Sequence, residues 1–455
     1  MTRIAIIGGG ISGLSAAYFL RREKPELEVT VLEQSPQLGG KLGVSTPQGY
    51  TVDWAANGFL TNVTETLELA KDLGLEDELE PASEAAKYRF LYKDGELKPL
   101  PLSPPTFLTS DLLTPVGKVR AALEPLLGRH VEDEETVYTF LKRHFGKQMA
   151  DVFAGPFVLG ITSGDAKELS LDALFPRFRA LEREHGSLIR GMIAAQKRAK
   201  AEDKPKSRLT SFRSGGINRL IHALGEVLGE RVRLGVGVKE VKPHAGRYQL
   251  TLSSGETLNA EGVVFATPAY VTADLIRPLA PLASAELEQI PYADVQVFGL
   301  GYDRADVLDS LAGFGFLVPR GEGLRVLGVL YGSSIFPSQA PEGKVLLRVI
   351  AGGSVDPEFA QLSEAEALEV IQRDLEVSLG ITAEPEMVAH IPWAKGIPQY
   401  ELGHGVRVST IMQEVAAQPG LHLTGNAYYG VGVNDCVRDA KRVVDEVLKV
   451  TREKF

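Results

Sequence analysis

The sequence predicts an α/β fold built on a discontinuous dinucleotide-binding domain, and three observations predict it. The short apolar run RIAII at residues 3–7 leads straight into the glycine-rich turn GGGISG. An acidic residue, Glu33, stands 20 positions after Gly13. Strand-like runs then give way to helical texture and resume only beyond about residue 230.

Each element follows in order. RIAII reads as a buried parallel strand, LSAAYFLRRE as a helix and LEVTVL as a second strand, which together make one βαβ unit. TETLELAKDLGL has helical periodicity, with Gly74 placed to stop it. From Pro99 the stretch PLPLSPPTFLTSDLLTP holds five prolines among many apolar residues, too hydrophobic for a flexible linker. It reads as a loop followed by short helices. Residues 116–205 read as mainly helical and end in the charged run QKRAKAEDKPKSR. Strands return at RVRLGVGVKEV, YQLTLSS and GVVFATP, then at VQVFGLGY, LRVLGVLYG and KVLLRVIAGG. SEAEALEVIQRDLEVSL and the tail NDCVRDAKRVVDEVLKVTREKF read as helices.

Composition narrows the function classes. The 455 residues are 44% hydrophobic and 24% charged, an ordinary globular balance with room for two or three domains. With 59 acidic against 49 basic residues the formal charge is −10, which disfavours a nucleic-acid partner. The single cysteine, Cys436, allows no intrachain disulfide and suits a reducing compartment, so a cytoplasmic protein is expected. The 8 histidines show no metal-ligand spacing, and no metal is expected. The start MTRIAIIGGG lacks the layout of a signal peptide, and no apolar stretch is long enough to span a bilayer.

The glycines carry the chemistry. In GxGxxG, Gly8 makes the tight turn, Gly10 lets backbone approach a pyrophosphate, and Gly13 lets helix and strand pack closely. The helix end then offers free N–H groups and a partial positive charge to phosphate. Glu33 stands where a carboxylate bonds ribose hydroxyls, and it disfavours a 2′-phosphate. Gln37-Leu38-Gly39-Gly40-Lys41 suits a second phosphate loop, although in isolation it is a turn with a solvated lysine.

GGGISGLSAA and VLEQSPQLGGK resemble the FAD-dependent amine oxidases, carotenoid desaturases and porphyrinogen oxidases. GPFVLGITSGDAKELSLDALFPRF, LEREHGSLIRG, SFRSGGINRLIHALGEVL, PQYELGH and GNAYYGVGVNDC resemble more closely the oxygen-dependent protoporphyrinogen and coproporphyrinogen oxidases of haem biosynthesis. The resemblance implies a discontinuous Rossmann-like FAD-binding domain at 1–80, 210–280 and 411–455. It further implies a mixed α+β substrate domain at 81–104 and 281–410, and an inserted helical domain at 105–209. It implies non-covalent FAD, with Gly8, Gly10, Ser12 and Gly13 at the pyrophosphate, Glu33 at the ribose, and Gly40 and Lys41 beside the phosphates. Val238 is implied at the adenine, Ala266 and Thr267 at a strand end near the cofactor, and Asn57 and Gly58 in a loop beside it. Gly425, Asn426, Gly432 and Val433 are implied at a helix start facing the flavin pyrimidine and ribityl chain, where a positive helix end would stabilise reduced flavin. The activity implied is oxidation of protoporphyrinogen IX or coproporphyrinogen III by molecular oxygen, with hydrogen peroxide as product and no side chain assigned a catalytic role.

The chain also departs from the family. Ala55-Ala56 stand where relatives carry Gly-Pro, and Asn57, Gly58 and Thr61 supply none of the basic charge that some members place there for a substrate carboxylate. Arg89, Arg177 and Arg179 are the candidate replacements at the rim of the substrate slot. Cys436 reads as a buried structural thiol, and Trp393 as either a flavin-facing ring or core packing. His185 and His404 read as structural hydrogen-bonders before bases. The run Lys197–Arg208 is either a solvated surface or a contact to anionic lipid. The apolar stretch 102–113 either dips into a membrane surface or packs on its own domain. The rival readings are an amine oxidase, a carotenoid desaturase, and a flavin-containing tetrapyrrole carrier without turnover.

Overall fold

Residues 2–127, 133–202, 207–307 and 311–453 are described by the computed structural model. Strand Arg3–Ile7 pairs in parallel with Glu28–Leu32 on one side and Gly262–Phe265 on the other, with Ile4 opposite both Val29 and Gly262. Val232–Arg233 and Leu421–Leu423 complete a five-stranded parallel sheet. Parallel neighbours need long crossovers, so this sheet is gathered from distant stretches of chain. Helices Ile11–Glu23, Asn218–Leu228 and Val433–Glu453 bury their apolar sides against one face. The antiparallel strands Val238–His244, Arg247–Leu252 and Thr257–Ala260 cover the other, with helices Ala269–Ile276, Pro281–Glu288 and His404–Ala416. Ile6 and Val31 at its centre are fully buried, each worth about 1.5–3 kcal/mol of transfer free energy.

A second sheet of seven strands runs in the order Met387–Pro398, Tyr292–Asp303, Lys344–Gly352, Val326–Tyr331, Gly315–Leu317, Arg89–Lys93, Glu96–Pro99. Helix Glu364–Leu379 covers one face through Ala367, Ile371, Leu375 and Leu379. Its start is closed by a Ser363–Glu366 capping box and its end by Gly380 at φ 67°. The 12-residue strand Met387–Pro398 was not expected from sequence. It lies at the sheet edge, where two prolines are tolerated because one side needs no ladder hydrogen bonds.

Helices dominate between residues 104 and 201. Two expected domain boundaries fall inside elements: strand Leu209–Phe212 spans 209/210 and helix His404–Ala416 spans 410/411. The proline-rich stretch divides, with Leu112 and Leu113 buried against Leu91 and Val152 while Leu102 and Leu108 stay exposed. Lys204 and Lys206 of the basic run lie outside the described residues.

The helical region is organised by buried charge. Glu124 is fully buried and accepts from Ser187 Oγ at 2.6 Å, Leu188 N–H at 2.8 Å and Ile189 N–H at 3.2 Å. Its Oε1 also lies 2.6 Å from His144 Nδ1, while His144 Nε2 lies 3.0 Å from Glu182. Glu124 thereby caps helix Leu188–Ala201 from another helix. Glu124→Gln sets an amide against groups that all donate, and should cost about 3 kcal/mol of stability in urea unfolding. A loss below about 0.5 kcal/mol would assign the cap to Ser187 alone.

Candidate active site

The glycine turn meets its neighbours as the motif demands. A Cβ on Gly8, at φ 112°, would lie 2.8 Å from the Ala266 carbonyl oxygen. A Cβ on Gly13 would collide with the Gly8 carbonyl. Gly10 differs: the nearest heavy atom to its Cβ would be Gly39 O at 3.9 Å, an ordinary contact, so this position is not closed off by its own neighbours. Helix Ile11–Glu23 starts there with no side-chain cap and no acid in its first turn. Its first N–H groups are left for an anion, and the opening at Gly10 is the room a pyrophosphate needs. The residues present therefore fit a dinucleotide.

Other predicted residues converge on this opening. Gly39 N–H donates to Gly9 O at 2.9 Å, and a Cβ on Gly40, at φ 56°, would lie 3.6 Å from Gly10 Cα. The second glycine turn is thus laid on the first. Glu33 accepts from Gly9 N–H at 2.6 Å and Ser35 N–H at 2.7 Å, which fixes its carboxylate at the end of the second strand. Val236 N–H donates to Glu33 O at 2.8 Å and brings half-buried Val238 alongside. Ala266 bonds to Ile7 O at 2.8 Å, and Thr267 Oγ1 lies 2.8 Å from Thr272 Oγ1.

The second helix start, at Val433, meets the first. Cys436 is buried, and burial pushes its thiol up to about 12 against a partly offsetting hydrogen bond from Ser12. It is a protonated structural thiol. Gly425 sits at φ 132°, and its N–H reaches Asp439 Oδ2 at 3.4 Å. Gly432 N–H donates to Asp435 Oδ2 at 3.2 Å, and Asp435 stands in the first turn of helix Val433–Glu453. That acid offsets the positive helix end expected from sequence.

Lys41 and Arg179 are placed otherwise than expected, and Gly58 has a packing reason of its own. Lys41 does not point along the glycine turns; its ammonium donates to Gly396 O in the seven-stranded sheet and lies 5.3 Å over the Tyr292 ring. Burial lowers it to about 8. Gly58 is explained by packing, because a Cβ there would lie 2.6 Å from Thr210 O, while Asn57 beside it is half-buried. Arg179 is no rim cation: it is 3% exposed and bonds Asp172 at 2.8 Å and Glu182 at 2.6 Å. A guanidinium so paired is not available to a substrate. Arg89 and Arg177 are exposed, with Arg89 4.6 Å over the Phe314 ring.

Sequence reasoning missed a buried pair under residues 53–56. Asp53 accepts from Ile217 N–H at 3.2 Å and Gln339 Nε2 at 2.7 Å, and Arg348 donates to Ala55 O. Burial raises Asp53 to about 6 and lowers Arg348 to about 10. Neither has a local motif that could have announced it. Trp393 packs edge-on against Trp54 at 6.2 Å and donates to Trp54 O at 3.2 Å, which favours its core reading.

The parallel sheet, the paired glycine turns and the acid after the second strand define a dinucleotide-binding oxidoreductase. The chain belongs to the flavin containing amine oxidoreductase family, whose profile matches residues 11–448. It is 30% identical over 462 residues to coproporphyrinogen III oxidase of Bacillus subtilis (strain 168), covering 98% of this chain and 97% of that protein. It is 32% identical over 470 residues to the chloroplastic protoporphyrinogen oxidase of Nicotiana tabacum, covering 97% and 84%. A crystal structure from Exiguobacterium sp. 255-15, provisionally named a protoporphyrinogen oxidase, superposes with a TM-score of 0.86 at 28% identity over 98% of both chains. A putrescine oxidase variant shares the fold, with a TM-score of 0.71 at 17% identity over 98% of this chain and 99% of its own.

Gly10→Val puts its bulk into the opening, and its Cβ meets the protein only at ordinary contact distance, 3.9 Å from Gly39 O. The variant should fold with wild-type far-UV circular dichroism and purify colourless. Full FAD occupancy would remove this opening as the cofactor cradle.

Proposed function

We propose that this chain oxidises a porphyrinogen to the porphyrin, with non-covalent FAD as its cofactor and molecular oxygen as terminal acceptor. The observation that carries the reading is the extent of the likeness. About 30% identity to porphyrinogen oxidases runs over 97–98% of the chain, against 17% to the putrescine oxidase variant. The open cradle at Gly10 supports the cofactor.

FAD, when bound, supplies a two-electron acceptor for the saturated bridges of the macrocycle. The chain's own part is to bind, orient and exclude water. The first turn of helix Ile11–Glu23, through Ser12 and Gly13, takes the pyrophosphate, and Glu33 takes the ribose hydroxyls. Val238 lies at the adenine, and Ala266 and Thr267 at the strand end near the cofactor. Residues 425–433 take the flavin pyrimidine and ribityl chain, with Gly425, Asn426, Gly432 and Val433 in contact. With FAD bound, the two electrons and two protons removed in each oxidation step would reduce one molecule of oxygen to hydrogen peroxide.

Both porphyrinogens should turn over, with protoporphyrinogen IX ahead. Residues 57–61 bring no cation, and Arg179 is consumed by its own carboxylates, which leaves Arg89 and Arg177 for propionates. Desolvating a carboxylate without a partner is costly, so the extra carboxylates of coproporphyrinogen III are a disadvantage. In an aerobic assay, porphyrin fluorescence and peroxide should rise together, with kcat/KM higher for protoporphyrinogen. Peroxide from polyamines alone would select the amine oxidase reading, and binding without turnover the carrier. A tenfold preference for coproporphyrinogen, about 1.4 kcal/mol, would overturn the order.

We further infer that the helical region meets a membrane surface. Leu108, Val116 and Leu126 are 67%, 79% and 74% exposed, and Met192 and Ile193 are exposed on the helix that carries Lys197, Arg198 and Lys200. Apolar side chains beside cations suit anionic lipid. Among the described residues no helix is long and apolar enough to cross a membrane. The protein should float with phosphatidylglycerol vesicles, and Val116→Glu with Leu126→Glu should abolish it. Equal flotation of both forms would sink the surface.

A further inference from the structure

The segment 425–432 has little regular structure to hold it. Gly425 and Gly430 lie at φ 132° and 140°, conformations open to glycine and strained for other residues. Its restraints come from the PQYELGH motif. Tyr400 is fully buried; its hydroxyl donates to Asn426 O at 2.6 Å and accepts from Gly430 N–H at 3.0 Å. One oxygen atom therefore ties both ends of the turn 426–430. Burial holds the phenol well above its usual range, so the hydroxyl keeps the proton it donates.

His404 holds the middle of the same turn. Its ring stacks on Tyr400 at 3.9 Å with 11° between planes, and Nε2 lies 3.3 Å from Tyr428 O. Burial lowers the imidazole to about 4, so it is neutral at physiological pH. The hydrogen-bond pattern assigns the proton to Nε2, which donates to Tyr428 O. Tyr400 is also anchored from the other side, since Ser170 N–H donates to Tyr400 O at 2.7 Å. The stack is thus clamped between the helical region and the turn.

We propose that Tyr400 is a positioning residue for the flavin: its hydroxyl, braced by the stacked His404, sets the backbone of 426–430 against the ring. This rests on the reading of 425–433 as the segment that faces the flavin. Fixed backbone dipoles act on developing charge only when they are held in place beforehand, so a loosened turn weakens stabilisation of negative charge on the ring.

The test uses the FAD-loaded enzyme and no porphyrinogen, so it stands apart from the identity of the substrate. Sulfite affinity and the flavin midpoint potential both report how well negative charge on the ring is stabilised. Tyr400→Phe keeps the ring and its stack. It should weaken sulfite binding at least tenfold and lower the potential by about 30 mV or more, which is tenfold in a two-electron equilibrium. His404→Phe, which keeps the stack and loses the bond to Tyr428, should act in the same direction and less. Loss of FAD from Tyr400→Phe with an intact far-UV spectrum would support the same role. Wild-type affinity and potential in Tyr400→Phe, or a variant that unfolds, would overturn it. Asn426→Ala separates the two layers: no change in either variant removes the underlying reading of the segment, whereas a change in Asn426→Ala alone removes only Tyr400.

Discussion

The architecture turns on one contact that leaves no room for a side chain. Gly13, in the first turn of helix Ile11–Glu23, faces the Gly8 carbonyl so closely that any Cβ would collide with it. This lets the helix end come down over the strand tips and leaves Gly10 open beyond it. The second glycine turn is set by the first through Gly39 N–H and Gly9 O, and Glu33 is set by Gly9 N–H. Three parts of a nucleotide site are therefore aligned by hydrogen bonds to the backbone of Gly9, beside that close approach.

The seams between the sheets are pinned by single buried polar groups. Asp53 bonds the start of helix Asn218–Leu228 through Ile217 N–H and the seven-stranded sheet's loop through Gln339. Arg348 leaves that sheet to hold Ala55 O, and Tyr400 ties Ser170 to the 426–430 turn. An unmatched buried polar group is costly, so each pin admits one register of the parts it joins. Asp53 also carries a pH dependence. Its folded carboxyl, at about 6, binds a proton more tightly than the unfolded one, so its contribution to stability falls as pH rises through the interval between them.

Charge is divided between the regions. The helical segment engages two of its arginines internally: Arg143 and Arg179 both bond Glu182, with His144 on the same carboxylate. This is why Arg179, which sequence offers as a free cation, cannot serve a ligand. At the second helix start the same effect appears in miniature, where Asp435 takes the Gly432 N–H that an empty helix end would have offered. In both places a charged residue reads as ligand-facing until its own neighbours are known.

What the sequence determined by itself was whatever is carried by neighbours in the chain. RIAII, the three glycines and Glu33 form a local pattern whose spacing follows from strand and helix geometry, and the strands at Val326–Tyr331 and Lys344–Gly352 announce themselves by apolar runs. The edge strand Met387–Pro398 does not, because its prolines break the pattern and only its pairing with Tyr292–Asp303 makes it a strand. Tyr400 and His404 were legible as members of a motif and illegible as a clamp, since the atoms they hold lie some 25 residues further along the chain. The Asp53 and Arg348 positions left no trace at all. Their roles depend on burial and on partners hundreds of residues away, and only the packed structure decides which polar groups lose water and which of them find one another.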